Sequence, residues 1–201
     1  MLRIVIASNN KNKVREISDI LKGKAEALSL EDAGFKGDIE ETGETLAENA
    51  LIKARTVAKK VKNAIIMADD TGLEVDYLAK APGVYSARFA GPGCTYDDNN
   101  KKLLRLLRGV PAGQRQAVFR TVVAVVFPDK TEALAEGRIK GQIATRQKGK
   151  NGFGYDPVFF IPSHKRTYAE MDLREKNMVS HRQKAVKNAL KLILKKTEKR
   201  L

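Results

Sequence analysis

The stretch "LRIVIASNNKNK", residues 2–13, decides the fold class. Residues 2–7 form a short apolar run broken only by Arg3, the pattern of a strand covered on both faces. A polar loop follows, and Val14, Ile17, Ile20 and Leu21 then recur at helical spacing. The order is strand, loop, helix.

Outward from there, Thr45 can cap a second helix with Glu48 reaching back from its third position. Leu46, Ala50, Ala54, Val57, Ala58 and Val61 supply its apolar stripe. "AIIMA" at 64–68 reads as a second buried strand that ends in "DDTG". Residues 95–108 read as a helix stopped by Gly109. "QAVFRTVVAVVFP" and "TEALAEGRIKGQIA" read as two long strands paired antiparallel around a turn at Asp129 and Lys130. The last helix is expected from Ser180 to about Lys196, with Val186, Leu190 and Ile193 along one face, and residues 195–201 as a frayed basic tail. This order predicts an α/β protein with a mixed sheet.

The 201 residues, 42% of them hydrophobic, are enough to bury a core in one domain or in two lobes of one domain. No apolar run approaches the ~20 residues that span a bilayer, and the first segment turns polar too soon for a signal peptide. A soluble, cytoplasmic protein without a membrane partner is expected. Cys94 is the sole cysteine, so counting excludes an internal disulfide and a cysteine-clustered metal site. The net charge of +14 is segregated. Residues 174–201 hold ten Lys/Arg against two acids, whereas residues 31–48 hold seven acids against Lys36 alone. With no helix-turn-helix, finger or RNA-binding signature beside the basic segment, no stable nucleic-acid partner is expected.

Several segments could carry chemistry. Ser8, Asn9, Asn10, Lys11, Asn12 and Lys13 leave the first strand where ligands of parallel sheets gather, ahead of a helix N-terminus suited to anions; a plain cap and turn is the commoner use of such residues. Asp69 and Asp70 would point to opposite sides of a strand, so at least one needs a cation, and a hard divalent ion suits carboxylate oxygens. Either could instead cap the turn into Thr71 and Gly72. Lys53 lies at the edge of an apolar stripe, where snorkelling to solvent is the simpler reading. Ser180 followed by Gln183 has a capping-box pattern that puts His181 and Arg182 in a first helical turn rich in donors, although His181 could equally be a surface residue. Phe153, between two glycines in "NGFGYD", could stack on a base or mark a hairpin corner.

Together "SNNKNK", "EETGETLAENALIKA", "ADDTGL", "APGVYSARFAG", "GFGYDPVF" and "AEMDLREKNMVSHRQKA" resemble the inosine triphosphate pyrophosphatase family, in order from residue 1 to about 194. The resemblance implies an elongated mixed β-sheet flanked by helices, two lobes with a central substrate cleft, and a homodimer. It implies a magnesium-dependent hydrolase, with manganese as a substitute ion, that converts ITP, dITP and XTP to the monophosphate and pyrophosphate. Carried over by motif, Ser8, Asn10 and Lys13 would hold the triphosphate, joined by Lys53 and Thr71. Glu41 or Glu40, with Asp70, would bind the metal; Asp70 would act on the attacking water and Asp69 would support it. Phe153 would stack on the purine, while Gly154, Tyr155, Asp156, Lys176, His181 and Arg182 would line the base pocket. Asn9 stands where the family pattern often has glycine. Two other readings remain: a Maf-like pyrophosphatase for modified pyrimidine nucleotides, against which "SHR" and "GFGYD" argue, and a basic module that binds nucleotides without turnover.

Overall fold

Strand β1 (Arg3–Ile6) pairs in parallel with β2 (Glu26–Leu28) on one side and β3 (Ile65–Val75) on the other. Helix α1 (Lys11–Leu21) connects the first pair, and α2 (Leu46–Lys60) precedes β3. The structure, a computed structural model, describes residues 2–198. The remaining strands are β4 (Pro82–Gly83), β5 (Gln116–Val126), β6 (Glu132–Ile143), β7 (Phe159–Ile161) and β8 (Arg166–Thr167); the remaining α-helices are α3 (Tyr96–Leu106), α4 (Leu173–Val179) and α5 (His181–Glu198). The sheet order is β2-β1-β3-β5-β6-β7-β8, with β4 antiparallel on β3. A tight turn, with the Phe127 N–H donating to Thr131 O at 2.9 Å, joins β5 to its neighbour β6 as a hairpin.

The chain divides into two compact units, with residues 2–70, 121–137 and 181–198 in the first and 71–120 and 138–180 in the second. In the first, Ile4 and Ile6 of β1, Ile17 and Leu21 of α1, Met67 of β3, Val123 and Val125 of β5 and Val186 and Ile193 of α5 form one apolar cluster. Each such side chain withdrawn from water contributes about 1.5–3 kcal/mol. The predicted Val186, Leu190 and Ile193 face of α5 is buried as expected. This helix lies close to β6: a Cβ on Gly137 would stand 2.1 Å from His181 O and 2.4 Å from Ala185 N.

In the second unit, Leu73, Leu103, Leu107, Phe119, Val158, Phe159 and Tyr168 are among the core residues. The Phe159 ring stacks on Tyr168 at 5.3 Å and meets Phe119 at 4.6 Å. Thr95 and Asp98 form a capping box at the start of α3. Just past its other end the buried Arg115 donates to the carbonyls of Leu107 at 2.7 Å and Val110 at 3.4 Å, tying down the turn that leaves the helix.

Two expectations change. β3 does not end in "DDTG" but continues to Val75, because Asp69 and Asp70 meet cations within the strand and need no turn. α5 runs to Glu198, with Lys196 3.0 Å from the Asp129 carboxylate. Residues 199–201 lie outside the described residues. Between the glycine-rich segment and α5, where sequence pattern predicts no element, the chain forms β7, β8 and α4. Among the described residues no helix is long and apolar enough to cross a membrane.

Candidate active site

The first unit gathers charge where β1 leads into α1, beside Asp69 and Asp70 within β3. Ser8 Oγ accepts the Asn10 N–H at 3.2 Å, and Asn10 Oδ1 accepts the N–H groups of Asn12 at 3.0 Å and Lys13 at 3.2 Å. Asn10 is therefore the N-cap of α1, in line with the simpler reading of this loop. Asn9, Lys11 and Asn12 are exposed, whereas Lys13 turns inward to 3.5 Å from Asp69 Oδ2 and 4.0 Å from Asp70 Oδ1.

Lys53 does not snorkel. Its ammonium is buried, 2.9 Å from Glu41 Oε1 and 3.0 Å from Asp70 Oδ1. Of the two candidate glutamates, Glu41 is the one turned toward this lysine. Asn49, one helical turn before Lys53 on α2, accepts the Gly43 N–H at 2.8 Å and donates weakly to Asp70 Oδ2 at 3.5 Å. Arg182, also buried, donates from Nε to Asp69 Oδ2 at 3.0 Å and from Nη1 to Glu16. His181, next to it, is buried too.

These contacts separate the two neighbouring carboxyls. Burial pushes Asp69 up, but Lys13, Arg182 and Lys53 together outweigh it and hold the group well below the usual carboxylate range. For Asp70 burial wins over Lys53 and Lys13, and its pKa is raised. Burial lowers Lys13; Lys53 is raised because Asp70, Asp69 and Glu41 together overcome its burial. One carboxyl is thus a fixed anion and its neighbour the better proton acceptor.

Glu16 and Asn49 escaped the sequence reading. Each was visible as a polar residue inside a helix's apolar stripe, Glu16 one position before Ile17 and Asn49 one before Ala50, and both are buried.

The second unit holds the other candidates. Gly152 and Gly154 have φ of +74° and +64°, and a Cβ on Gly152 would lie 2.0 Å from Asp156 Oδ2. That carboxylate accepts the Phe153 N–H at 2.8 Å and the Lys176 ammonium at 2.5 Å. Lys176 lies 4.9 Å from the centre of the Phe153 ring and 5.5 Å from that of Tyr168. Phe153 is half-buried. Tyr155 packs in the core and donates to Ser86 O at 3.0 Å, which ties its hydroxyl to the protein backbone. Thr71 sits half-buried in β3, and Ser180 is the buried C-cap of α4 with α5 starting directly after it.

The Ham1 family model matches residues 4–192. The chain belongs to the Ham1 family. Among its Ham1 relatives, the dITP/XTP pyrophosphatase of Caldanaerobacter subterraneus is 52% identical over 199 residues, covering 98% of this chain and 99% of the relative. The protein of the same name from Bacillus subtilis is 43% identical over 194 residues, covering 96% and 98%. Of solved structures, the Ham1 protein of Staphylococcus aureus superposes with a TM-score of 0.84 at 36% identity, covering 96% of this chain and 99% of its own. The nucleoside-triphosphatase, dITP/XTP pyrophosphatase of Mycobacterium abscessus gives 0.72 at 41%, covering 92% and 97%. The α/β class and the family resemblance read from the sequence both hold for this Ham1 chain.

Proposed function

We propose that the protein is a magnesium-dependent nucleoside triphosphate pyrophosphohydrolase acting on ITP, dITP and XTP. The observation that carries the reading is the group of Lys13, Lys53, Asp69, Asp70 and Glu41, in which the buried Lys53 and the inward-turned, half-buried Lys13 face paired carboxylates beside the N-terminus of α1. Relatives bearing the name dITP/XTP pyrophosphatase along their whole length support it.

The residues fit magnesium in one particular way. Among the described residues no group of three or more His, Cys, Asp or Glu side chains is placed to hold a metal ion. Glu41 and Asp70 nonetheless converge on one ammonium, and two hard carboxylates are the protein share magnesium commonly takes, phosphate oxygens and waters filling the rest. When bound with the substrate, the ion would neutralise negative charge developing on the phosphates.

Lys13 and Lys53 are assigned to the phosphate oxygens as point charges, with Ser8, Asn10 and Thr71 as neutral donors. In hydrolysis a water oxygen bonds to the α-phosphorus, the bond from that phosphorus to the bridging oxygen breaks, and pyrophosphate leaves. Asp70, the carboxyl whose proton affinity is raised, orients the water and takes its proton. Asp69, held ionised between Lys13 and Arg182, keeps Lys13 in place.

For the base, Phe153 supplies a face for stacking and Lys176, whose ammonium lies 4.9 Å from that ring's centre, a donor. Hypoxanthine and xanthine carry an acceptor oxygen at the 6-position, where adenine carries an amino donor. A donor left unpaired in a closed site can reject an analogue by a factor of about 10⁴. Pyrophosphate release from ITP, XTP, dITP, GTP, ATP and dTTP, with magnesium and with EDTA, tests the whole reading. Metal-dependent turnover of ITP, XTP and dITP alone is expected; equal turnover of all six, or none, overturns it.

A further inference from the structure

The first two turns of α3 hold neighbouring loops of the second unit. Asn99 accepts the Ala90 N–H at 2.7 Å and donates to Ala87 O at 3.2 Å. Asn100, only 2% exposed, donates from Nδ2 to Gly154 O at 2.9 Å. That carbonyl belongs to the residue following Phe153, in a turn whose two flanking glycines both have positive φ. Tyr96, four residues before Asn100 and so on the same helix face, places its ring 5.9 Å from that of Phe153 at 45°.

Neither side chain is needed to start the helix, because Thr95 and Asp98 close its capping box. A loop carrying two glycines loses much backbone freedom when it is fixed, so an amide donor on its carbonyl and an aromatic neighbour on its one large side chain do measurable ordering. We propose that Asn100 and Tyr96 are positioning residues for the purine: Asn100 fixes the carbonyl behind Phe153, Tyr96 sets the tilt of the ring, and α3 thereby determines how tightly the base stacks. The proposal rests on the assignment of Phe153 as the stacking ring.

The chain has no tryptophan, so Phe153→Trp introduces a single indole reporter. Inosine monophosphate, which carries the base and cannot be turned over, should change its fluorescence. Adding Tyr96→Ala or Asn100→Asp should weaken that binding. In the Phe153 protein the same changes should raise the KM for ITP about two- to tenfold, with kcat within about twofold, and Tyr96→Phe should restore it. No fluorescence change on adding inosine monophosphate would remove the stacking assignment and this proposal with it. A clear change, with both variants binding as tightly as their parent and KM unmoved, would overturn the proposal alone. A fall in kcat at constant KM would overturn it too, since it would mark a general structural defect. Should Asn100→Asp fail to fold, Tyr96→Ala, at a position 41% exposed, decides the matter.

Discussion

Lys53 Nζ lies between Asp70 Oδ1, at 3.0 Å, and Glu41 Oε1, at 2.9 Å, so two carboxylates face one ammonium. They are also the two assigned to magnesium. On that assignment lysine and metal would draw on the same two carboxylates, and a change at the lysine should alter how the ion binds.

Lys53→Met should abolish most turnover and leave Glu41 and Asp70 without their shared cation. Magnesium alone, added to the variant, should then raise its melting temperature more than it raises that of the parent, because binding to the folded state stabilises in proportion to RT ln(1 + [L]/Kd). Thermal melts over a magnesium titration measure this. An equal rise in both proteins would contradict a common place for lysine and ion.

Asp70→Asn keeps the shape and removes both the proton acceptor and one of the two carboxylates assigned to magnesium. A fall in kcat of about 10²–10⁴-fold is expected, with inosine monophosphate binding retained in equilibrium titration. Loss of binding in step with turnover would make Asp70 a binding group and not the base.

Much of this was legible in the sequence, for identifiable reasons. The Thr45–Glu48 capping box and the β1–α1 unit depend on local pattern, and both form where pattern puts them. Lys53 could not be placed that way: an ammonium at the edge of an apolar stripe goes to solvent unless carboxylates await it inside, and those of Glu41 and Asp70 lie 12 and 17 residues away in the chain. Asp69 and Asp70 raised the same difficulty. Two acids in succession resemble the end of a strand, and only Arg182, 113 residues later, and the two lysines allow β3 to continue through them. Pairings of long sequence separation are what local pattern omits.

Acid should act unequally on the neighbouring pair. The folded pKa of Asp69 is depressed, so its contribution to stability is complete above the unfolded value of 3.8 and is lost as pH falls below that toward the lower folded value. Urea midpoints at pH 5, 4 and 3 should therefore fall more steeply in the parent than in Asp69→Asn. Parallel slopes would show that the carboxylate gains nothing from Lys13 and Arg182.

Removing Arg182 should cost more than removing a surface arginine. Arg182→Met would leave Glu16 and Asp69 buried with no guanidinium between them, and breaking a buried pair in this way costs about 3–5 kcal/mol. Denaturant unfolding at pH 7 measures it. Adding Glu16→Gln should recover part of the loss, since one uncompensated charge is then gone; no recovery would mean that the guanidinium acts by packing alone.

Gly137 offers a test in which two effects oppose. Alanine is the better residue within a strand by roughly 0.5–1 kcal/mol, so propensity alone predicts that Gly137→Ala stabilises. The new Cβ, however, would stand 2.1 Å from His181 O and 2.4 Å from Ala185 N, both backbone atoms of the first turns of α5 and unable to swing aside. The helix would have to lift from β6, at a cost of about 1–3 kcal/mol or more, which outweighs the propensity gain. Because Arg182 rides on that turn, its 3.0 Å bond to Asp69 should lengthen and turnover should fall together with stability. A denaturant midpoint above the parent's would mean that α5 is not seated on this glycine; a lowered midpoint with unchanged kcat would mean that the helix shifts without disturbing Asp69.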